Sequence, residues 1–355
     1  MPTAAPPPEA VIVAGGFGTR MLPLTRNRPK HLLEVGGVPF LEHQIAKLAA
    51  VGVAHVVLAT SYRAELFRPV LGDGERFGVR LSYVTEDAPL GTAGAIRNVS
   101  EALDPDPDRA VVILNGDVLS GHDLQAQLDG FHTARDGVPV EVSLHLVRVP
   151  DARIFGCVPT DGSGRVTGFV EKSDHPVTDQ VNAGCYVFRR RVVDAIPAGR
   201  VVSVERVTFP ALVEAGALVV GHLETAYWRD VGTPEALVGA SADVVTGQAP
   251  TPAIGPGEEG VRVSPGASVE GKVENGTLVL DGACVRRGAR VSGSVLMAGA
   301  TVEEDAVVTD SVVGPRGRVG RGAELAGVTV GDDGVVPAGA CPPPGTRVEC
   351  GATWA

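Results

Sequence analysis

The sequence predicts an α/β domain with a mainly parallel sheet, followed by a hexapeptide β-helix. Strand-like apolar runs alternate with helix-like segments over the first two-thirds of the 355 residues. Beyond about Thr246 this alternation stops, and aliphatic residues recur about every six positions. A stretch rich in Pro and Gly, 247–260, separates these two regions of the sequence. We therefore predict an α/β domain over 9–245, a linker over 246–260 and a β-helix over 261–350.

In the first part, the strand-like runs are 10–14, 55–60, 80–84, 110–114 and 140–147. Helical spacing of apolar residues predicts a helix over 39–50, with Pro39 in its first turn. A second helix is predicted from a capping Thr92 to about Leu103. Strands that alternate with helices are typical of a parallel sheet, whose ligands bind beyond the carboxyl ends of the strands.

The C-terminal part carries aliphatic residues at a period near six. They are Val263, Val269, Val279, Val285, Val291, Val302, Val308, Val319 and Leu325. Small residues and glycines follow them. This pattern predicts a β-helix in which each turn places an aliphatic residue inward. The alternative is a glycine-rich disordered tail, which would not preserve such spacing over many turns.

Composition excludes several classes of function. The formal net charge is −11, which argues against nucleic acid or an anionic membrane surface as a partner. The N-terminus lacks the pattern of a signal peptide, and no apolar run approaches the ~20 residues of a membrane span. The five cysteines are widely spaced and form no CxxC pair, which argues against structural zinc or a disulfide framework. We expect a soluble cytoplasmic protein.

A glycine-rich loop follows the first predicted strand. Residues 15–25 read GGFGTRMLPLT, and Pro29-Lys30 follow. Glycines placed directly after a strand let backbone N–H groups approach phosphate oxygens. The dinucleotide fingerprint would need a glycine where Met21 stands, and the GK[ST] of a Walker A loop is absent. The loop alone could be a tight turn, but Arg20 and Lys30 add cationic chemistry suited to a triphosphate.

The combination GGFGTRMLPLT with the downstream PK resembles the sugar-1-phosphate nucleotidyltransferases, which include glucose-1-phosphate thymidylyltransferases and mannose-1-phosphate guanylyltransferases. The runs FGCVPTD and VNAGCYVF resemble in particular the bacterial mannose-1-phosphate guanylyltransferases, and the valienol-1-phosphate guanylyltransferases look like the same scaffold. The resemblance covers about 9–245 and implies a Rossmann-like, GT-A-like catalytic domain, here followed by a left-handed β-helix. In that family the motif holds the NTP phosphates. The residues that match it are Gly15, Gly16, Gly18 and Thr19 for nucleotide binding, with Arg20 stabilising the transition state and Lys30 contacting phosphate. His31 replaces the proline that is common after the lysine, and we interpret it as a packing variant.

Two aspartates are candidate metal ligands. Asp117 follows the strand 110–114, and Asp230 lies in the run WRDVGTP. A carboxylate at a strand end suits Mg²⁺, although an isolated aspartate could equally cap a loop. Both match family motifs, GD and WxDxGTP, whose aspartates bind the metal. The resemblance therefore implies that Asp117 and Asp230 bind Mg²⁺.

Four residues occur in the order in which the family binds the sugar phosphate: Gly156, Glu171, Lys172 and Asn182. Lys172 could neutralise the phosphate, while Glu171 and Asn182 could hydrogen-bond ring hydroxyls. Gly156 would allow close approach of the backbone. A surface Glu–Lys pair is usually only solvated, so this assignment depends on the resemblance.

The loop 84–94 corresponds to the base-recognition loop of the family and contains Glu86 and Gly91. Thymidylyl- and uridylyltransferases typically have Gln where this chain has Glu86. An ionised Glu only accepts hydrogen bonds, which suits the adjacent N1–H and N2–H₂ donors of guanine. Asp87 could read the base instead. We predict GTP as the nucleotide.

The predicted reaction joins GTP to mannose 1-phosphate or to a carbasugar such as valienol 1-phosphate, as in aminocyclitol antibiotic pathways. Alternatives are a thymidylyl- or uridylyltransferase acting on glucose 1-phosphate, and a non-catalytic nucleotide-sugar sensor. A hexapeptide acyltransferase would need a catalytic histidine in the β-helix, and the chain has none after His222. We expect the β-helix to be structural and the protein to be a homo-oligomer.

Overall fold

The computed structural model describes residues 7–355. Their contacts divide the chain into two compact units. The first contains the chain as far as Gly16 together with Gln44–Trp228, and the second contains Phe17–His43 together with Arg229–Ala355. The glycine-rich loop therefore begins in the first unit and continues in the second. The boundaries at 245 and 261 remain our proposal for the division along the sequence.

Before the β-helix, the described residues form thirteen strands and seven α-helices. The strands are β1 (Glu9–Ala14), β2 (Glu34–Val35), β3 (Val38–Pro39), β4 (His55–Thr60), β5 (Arg80–Thr85), β6 (Ala110–Asn115), β7 (Val118–Ser120), β8 (Val142–Arg148), β9 (Gly156–Cys157), β10 (Val170–Glu171), β11 (Gln180–Arg189), β12 (Val219–Leu223) and β13 (Trp228–Asp230). The helices are α1 (Phe40–Ala50), α2 (Phe67–Leu71), α3 (Gly91–Asn98), α4 (Leu124–His132), α5 (Arg190–Ala195), α6 (Phe209–Glu214) and α7 (Pro234–Thr246). Over 7–355, no helix is long and apolar enough to cross a membrane.

The same region also contains short helical turns. The 3₁₀ turns are Thr19–Met21, Lys30–Leu32, Ala64–Leu66, Glu75–Phe77 and Ser100–Ala102, and a π-helical turn spans Val204–Thr208. Two of them, Thr19–Met21 and Lys30–Leu32, carry the cationic residues of the glycine-rich motif.

The first unit is built on a nine-stranded sheet. Its main path is β10-β9-β11-β6-β1-β4-β5, with β8 beside β11 and β12 beside β8. Strand β1 is parallel to β4 and β6, and β4 is parallel to β5. Strand β11 is antiparallel to both β6 and β8. The predicted mainly parallel sheet is confirmed, and the carboxyl ends of β1, β4, β5 and β6 lie at one edge.

Strand β8 differs from its sequence pattern. Its residues alternate between apolar and polar or small side chains, yet Val142–Val147 are all buried. Gln127 of helix α4 contacts Ser143 on one face of the strand, and Val142, Leu144 and Leu146 on the other face belong to the hydrophobic core. A strand whose two faces are both covered needs no solvent face. Ser143 and His145 are therefore buried polar residues rather than surface residues.

Both predicted helices shift at their ends. Helix α1 begins at Phe40, because Pro39 belongs to β3 and pairs with Glu34. Helix α3 begins at Gly91 and ends at Asn98, and Thr92 does not cap it. The N–H of Ala93 instead donates to the carbonyl of Val202 at 2.9 Å. A backbone carbonyl from a distant segment therefore accepts the hydrogen bond that a capping side chain would otherwise accept.

The β-helix follows in the second unit. Its strands are β14 (Arg262–Val263), β15 (Ser268–Val269), β16 (Lys272–Glu274), β17 (Leu278–Val279), β18 (Cys284–Val285), β19 (Arg290–Ser292), β20 (Val295–Leu296), β21 (Thr301–Val302), β22 (Val307–Thr309), β23 (Val312–Val313), β24 (Arg318–Val319), β25 (Glu324–Ala326), β26 (Thr329–Val330), β27 (Val335–Val336) and β28 (Arg347–Val348). They form parallel sheets of six, five and four strands. Val285 pairs with Val302, which pairs with Val319.

The stacked valines are fully buried in a continuous core, which confirms the hexapeptide β-helix. Val263 departs from the predicted pattern and is 40% exposed. It lies on the terminal strand β14, which has a neighbour on one side only.

Candidate active site

In the first unit, the glycine-rich loop meets the ends of two neighbouring strands. The N–H of Gly16 donates to Ser61 Oγ at 3.1 Å. A Cβ at Gly15 would lie 3.1 Å from Glu86 Oε1 and 3.2 Å from Ser61 Oγ. These residues follow β1, β4 and β5, whose carboxyl ends share one edge of the sheet. The structure thus brings together Gly15, Gly16 and Glu86, which were predicted to bind nucleotide.

The two oxygens of Glu86 have different surroundings. Oε2 accepts a hydrogen bond from the N–H of Leu90 at 3.2 Å, whereas Oε1 faces Gly15. Partial burial raises the pKa of Glu86, and the hydrogen bond from Leu90 lowers it in part. One oxygen therefore holds the loop, and the other points towards the glycine-rich loop.

Gly91 has a structural explanation of its own. Its φ is +72°, and a Cβ there would lie 2.6 Å from the carbonyl oxygen of Val202. Only glycine accepts both the left-handed conformation and this approach without strain. The requirement fixes the start of α3 beside the loop that carries Glu86.

In the second unit, the rest of the glycine-rich motif forms a compact turn. Gly18 has φ +60° and its carbonyl accepts a hydrogen bond from Thr25 Oγ1 at 2.9 Å. A Cβ at Gly18 would lie 3.1 Å from Thr25 Cγ2 and 3.4 Å from Lys30 Cβ. His31 is buried, as a packing residue would be. The turn brings Gly18 and Lys30 together, and Thr19 and Arg20 lie between them in a 3₁₀ turn.

Arg20 and Asp230 meet at Gly232. A Cβ at Gly232 would lie 2.5 Å from Arg20 Nη2 and 2.6 Å from Asp230 Oδ1. A side chain at position 232 would therefore clash with both charged groups as they lie, and glycine avoids this clash. The sequence motif contains Gly232, but its spatial role was not predicted.

Asp117 lies in the turn between β6 and β7, which a buried glutamine holds. Gln44 Nε2 donates to the carbonyls of Asn115 at 2.7 Å and Val118 at 3.0 Å. Lys47, one helical turn later, donates to the carbonyl of Ser120 at 2.8 Å. Helix α1 thus fixes the backbone on both sides of Asp117. Sequence reasoning missed Gln44, although a polar residue among the apolar positions of α1 is a signal for such a contact.

Three of the predicted sugar-phosphate residues are brought together where β9 pairs with β10. Gly156 is the Cα partner of Glu171. Lys172 Nζ lies 3.8 Å from Glu171 Oε1, with side-chain exposures of 61% and 18% respectively. Lys172 has φ +43°, and its N–H donates to the carbonyl of Phe155 at 3.2 Å. The carboxylate is therefore sheltered while the ammonium reaches outward.

Asn182 lies on β11, which also pairs with β9. Its Nδ2 donates to the Tyr186 hydroxyl at 2.8 Å, and its Oδ1 accepts from the N–H of Gly184 at 3.0 Å. The pairing of β11 with β8 shifts register between Asn182 and Tyr186. The side chain therefore stabilises a bulge, which the sequence did not predict. It retains one N–H and lone pairs for a ligand.

The two predicted metal ligands are both aspartates, a ligand type that suits magnesium. Mg²⁺ is usually bound by one or two carboxylates together with phosphate oxygens and water. Among residues 7–355, no group of three or more His, Cys, Asp or Glu is placed to hold a metal. Asp117 in the first unit and Asp230 in the second each provide one carboxylate.

Comparison with known proteins gives two family matches. The nucleotidyl transferase family matches residues 9–247. The GlmU-like C-terminal hexapeptide family matches residues 262–341.

Individual relatives extend these matches. A mannose-1-phosphate guanylyltransferase of Mycobacterium tuberculosis is 49% identical over 290 residues, which are 80% of this chain and 78% of that protein. A mannose-1-phosphate guanyltransferase of Neurospora crassa is 37% identical over 230 residues, which are 64% of this chain and 61% of that protein. The crystal structure of HddC from Yersinia pseudotuberculosis complexed with GMP-PN superposes with a TM-score of 0.55 at 25% identity, covering 66% of this chain and 97% of that one.

Proposed function

The chain belongs to the nucleotidyl transferase family, and from this premise we propose that it transfers GMP from GTP to a sugar 1-phosphate. The observation that carries the proposal is the position of Glu86, an acceptor-only side chain whose Oε1 faces the glycine-rich loop at Gly15. Support for mannose 1-phosphate as the sugar phosphate comes from the mycobacterial relative, which is 49% identical.

The proposed reaction is an in-line displacement. A phosphate oxygen of the sugar 1-phosphate attacks the α-phosphorus of GTP, the bond from that phosphorus to the bridging oxygen breaks, and pyrophosphate leaves. The nucleophile is already ionised at pH 7, so the step needs no general base. Catalysis then depends on positioning and on neutralising charge.

The glycine-rich motif would bind the triphosphate. Backbone N–H groups of 15–19 can approach phosphate oxygens because their glycines lack a side chain. Arg20 would stabilise charge on the departing pyrophosphate, and Lys30 would contact phosphate. The close approach of Arg20 and Asp230 at Gly232 supports a role for both at the same step.

Asp117 and Asp230 are proposed to hold Mg²⁺. When bound, the metal would neutralise charge on the phosphate oxygens. Gln44 holds the backbone on either side of Asp117 in place.

The sugar phosphate is proposed to bind along β9, β10 and β11. Lys172 would pair with its phosphate, while Glu171 and the remaining N–H of Asn182 would contact ring hydroxyls. A carbasugar such as valienol 1-phosphate keeps these hydroxyls and lacks only the ring oxygen, so it belongs in the same assay.

A pyrophosphate-release assay tests the proposal. GTP, UTP, dTTP and ATP would each be combined with mannose 1-phosphate, glucose 1-phosphate and valienol 1-phosphate in the presence of Mg²⁺. We expect the highest kcat/KM with GTP and mannose 1-phosphate. A preference for dTTP or UTP with glucose 1-phosphate would contradict the base assignment. Turnover with none of the pairs would favour a sensor.

A further inference from the structure

The end of the β-helix contacts the segment that carries Arg20. Arg347, on the last strand β28, donates hydrogen bonds from Nη1 to the carbonyl oxygens of Arg20 and Leu22, each at 3.0 Å. All three residues belong to the second unit. The contact is made to the backbone of Arg20, which leaves its guanidinium available for the position beside Gly232.

A buried carboxylate holds the same segment a few residues later. Asp332, which is 4% exposed, accepts hydrogen bonds from Arg28 Nη2 at 2.5 Å and Nη1 at 3.3 Å. Its Oδ2 also accepts a hydrogen bond from Asn27 Nδ2 at 3.3 Å. A charged acceptor with this little solvent makes stronger hydrogen bonds than an exposed one.

Close packing at Pro23 joins these two contacts. A Cβ at Gly331 would lie 3.1 Å from Pro23 Cβ. Cys350 Sγ donates to the carbonyl of Pro23 at 3.5 Å, and Arg26 pairs with Glu349. The last coils of the β-helix therefore contact residues 20–28 almost continuously.

Comparable residues elsewhere in the β-helix do something different. Arg318 occupies the equivalent place before an inward valine, and it pairs with Glu303 on a neighbouring coil. Asp333, next to Asp332, pairs with Arg316 at the surface. Arg347 therefore differs from Arg318, and Asp332 from Asp333, in the groups that it contacts and not in its local sequence.

We propose that Arg347 and Asp332 are positioning residues for catalysis, which hold the backbone at 20–28 so that Arg20 is placed for the transition state. The proposal rests on the proposed function, and it assigns the β-helix a part in turnover beyond structure and assembly. An active-site group must be held by its supporting contacts, because a misplacement of about 1 Å can cost roughly 10²-fold in rate.

Two point variants of the full chain test it against matched controls. Asp332→Asn replaces one oxygen by an amide donor that must face the donors of Arg28 or Asn27, and Asp333→Asn is its control. Arg347→Ala removes both hydrogen bonds to the backbone, and Arg318→Ala is its control. The readouts are kcat and KM for both substrates, together with hydrogen–deuterium exchange of the peptide covering 17–30.

We expect Asp332→Asn and Arg347→Ala each to lower kcat about 10-fold with KM changed less than about 3-fold, within the range for a displaced catalytic group. Exchange over 17–30 should rise in both, and Arg347→Lys should recover part of the kcat because a lysine can still donate to these carbonyls. The two controls should behave as wild type.

Wild-type kcat in both variants would overturn the proposal, and so would a loss that the control variants share. If Asp332→Asn unfolds, Arg347→Ala, whose side chain lies at the surface, decides the matter. An inactive wild type would refute the proposed function instead. In that case, unchanged exchange over 17–30 in Arg347→Ala would overturn the positioning as well.

Discussion

Gly156 and Glu171 are Cα partners across the short antiparallel pair of β9 and β10, and a Cβ at position 156 would lie 2.8 Å from Glu171 Oε2. Phe169 Cε1 would lie 2.9 Å from the same point. The glycine therefore makes room for a carboxylate of the protein itself, whereas the sequence suggested only a close approach of the backbone to the sugar phosphate. Glu171 depends on this space for its sheltered position.

Gly156→Ala should consequently displace Glu171 and weaken binding of the sugar phosphate. We expect KM for the sugar phosphate to rise about 10-fold, equivalent to losing one hydrogen bond to a charged group, while KM for GTP stays near wild type. Steady-state kinetics with each substrate varied in turn measures this. Gly162→Ala, where a Cβ would meet nothing within 4 Å, is the matched control. An equal rise in both KM values would remove Glu171 from the sugar-phosphate site.

The metal assignment predicts that Asp117→Asn and Asp230→Asn each reduce turnover by roughly 10³-fold or more, since the charge that holds Mg²⁺ is lost. Thermal unfolding of each variant is measured as well, so that a lost metal site is separated from a lost fold; the hydrogen bonds of Gln44 to the backbone beside Asp117 do not involve its carboxylate. A Mg²⁺ titration of activity in each variant measures the effect. Near-normal turnover in either variant, with Mg²⁺ as the only divalent ion, would refute its assignment as a ligand.

Arg20→Ala should lower kcat roughly 10²–10³-fold while changing KM for GTP far less, because its charge matters most as pyrophosphate departs. The contact of Arg347 with the Arg20 carbonyl does not depend on the side chain, so exchange over 17–30 should stay at the wild-type level. This separates the charge of Arg20 from the positioning of its backbone. A variant that raises KM for GTP and leaves kcat intact would mean that Arg20 only binds the nucleotide.

The sequence predicted those features that local patterns encode. The register of Val285, Val302 and Val319 in the β-helix follows from their spacing, and the meeting of Gly15 with Glu86 follows from parallel strands that end at one edge. Long-range contacts to the backbone leave no such pattern. Arg347 and Arg20 are 327 residues apart in the chain, and nothing in the run around Arg347 distinguishes it from Arg318. The prediction of Thr92 as a helix cap was wrong for the same reason, because the distant carbonyl of Val202 accepts the hydrogen bond from the N–H of Ala93.

A buried histidine cluster in the first unit predicts how stability depends on pH. The rings of His122 and His145 stack with centroids 3.8 Å apart, and within the described part of the chain neither ring nitrogen of His145 has a hydrogen-bond partner. Burial, with the charges of Lys47 and His222, lowers the pKa of His145 to about 3. In the unfolded chain a histidine has a pKa of about 6.5. Between these values only the unfolded state binds the proton, so stability is fully present above about pH 6.5 and is lost as pH falls.

His145→Phe should retain the stacked ring and remove that proton. The slope of unfolding free energy against pH between about 4 and 6 should therefore fall by up to ~1.4 kcal/mol per pH unit. Urea unfolding at several pH values measures the slope, and the exposed His175→Gln serves as the control. Parallel curves for wild type and His145→Phe would show that His145 titrates alike in both states.

The last prediction concerns base choice and follows from the two environments of Glu86. Its Oε2 accepts a hydrogen bond from the N–H of Leu90. In Glu86→Gln the amide oxygen should therefore keep this hydrogen bond, and the NH₂ group should take the place of Oε1. A donor would then face the N1–H and N2–H₂ donors of guanine, which costs on the order of 1–3 kcal/mol. We expect kcat/KM for GTP to fall about 10-fold or more. The value for UTP or dTTP, which offer both a donor and an acceptor, should rise relative to that for GTP.

Asp87→Asn makes the same chemical change on the exposed neighbour and is the matched control. A fall confined to Asp87→Asn would transfer base recognition to that residue. An unchanged GTP-to-UTP ratio in Glu86→Gln would mean that the Glu86 carboxylate serves only to hold the loop at Leu90.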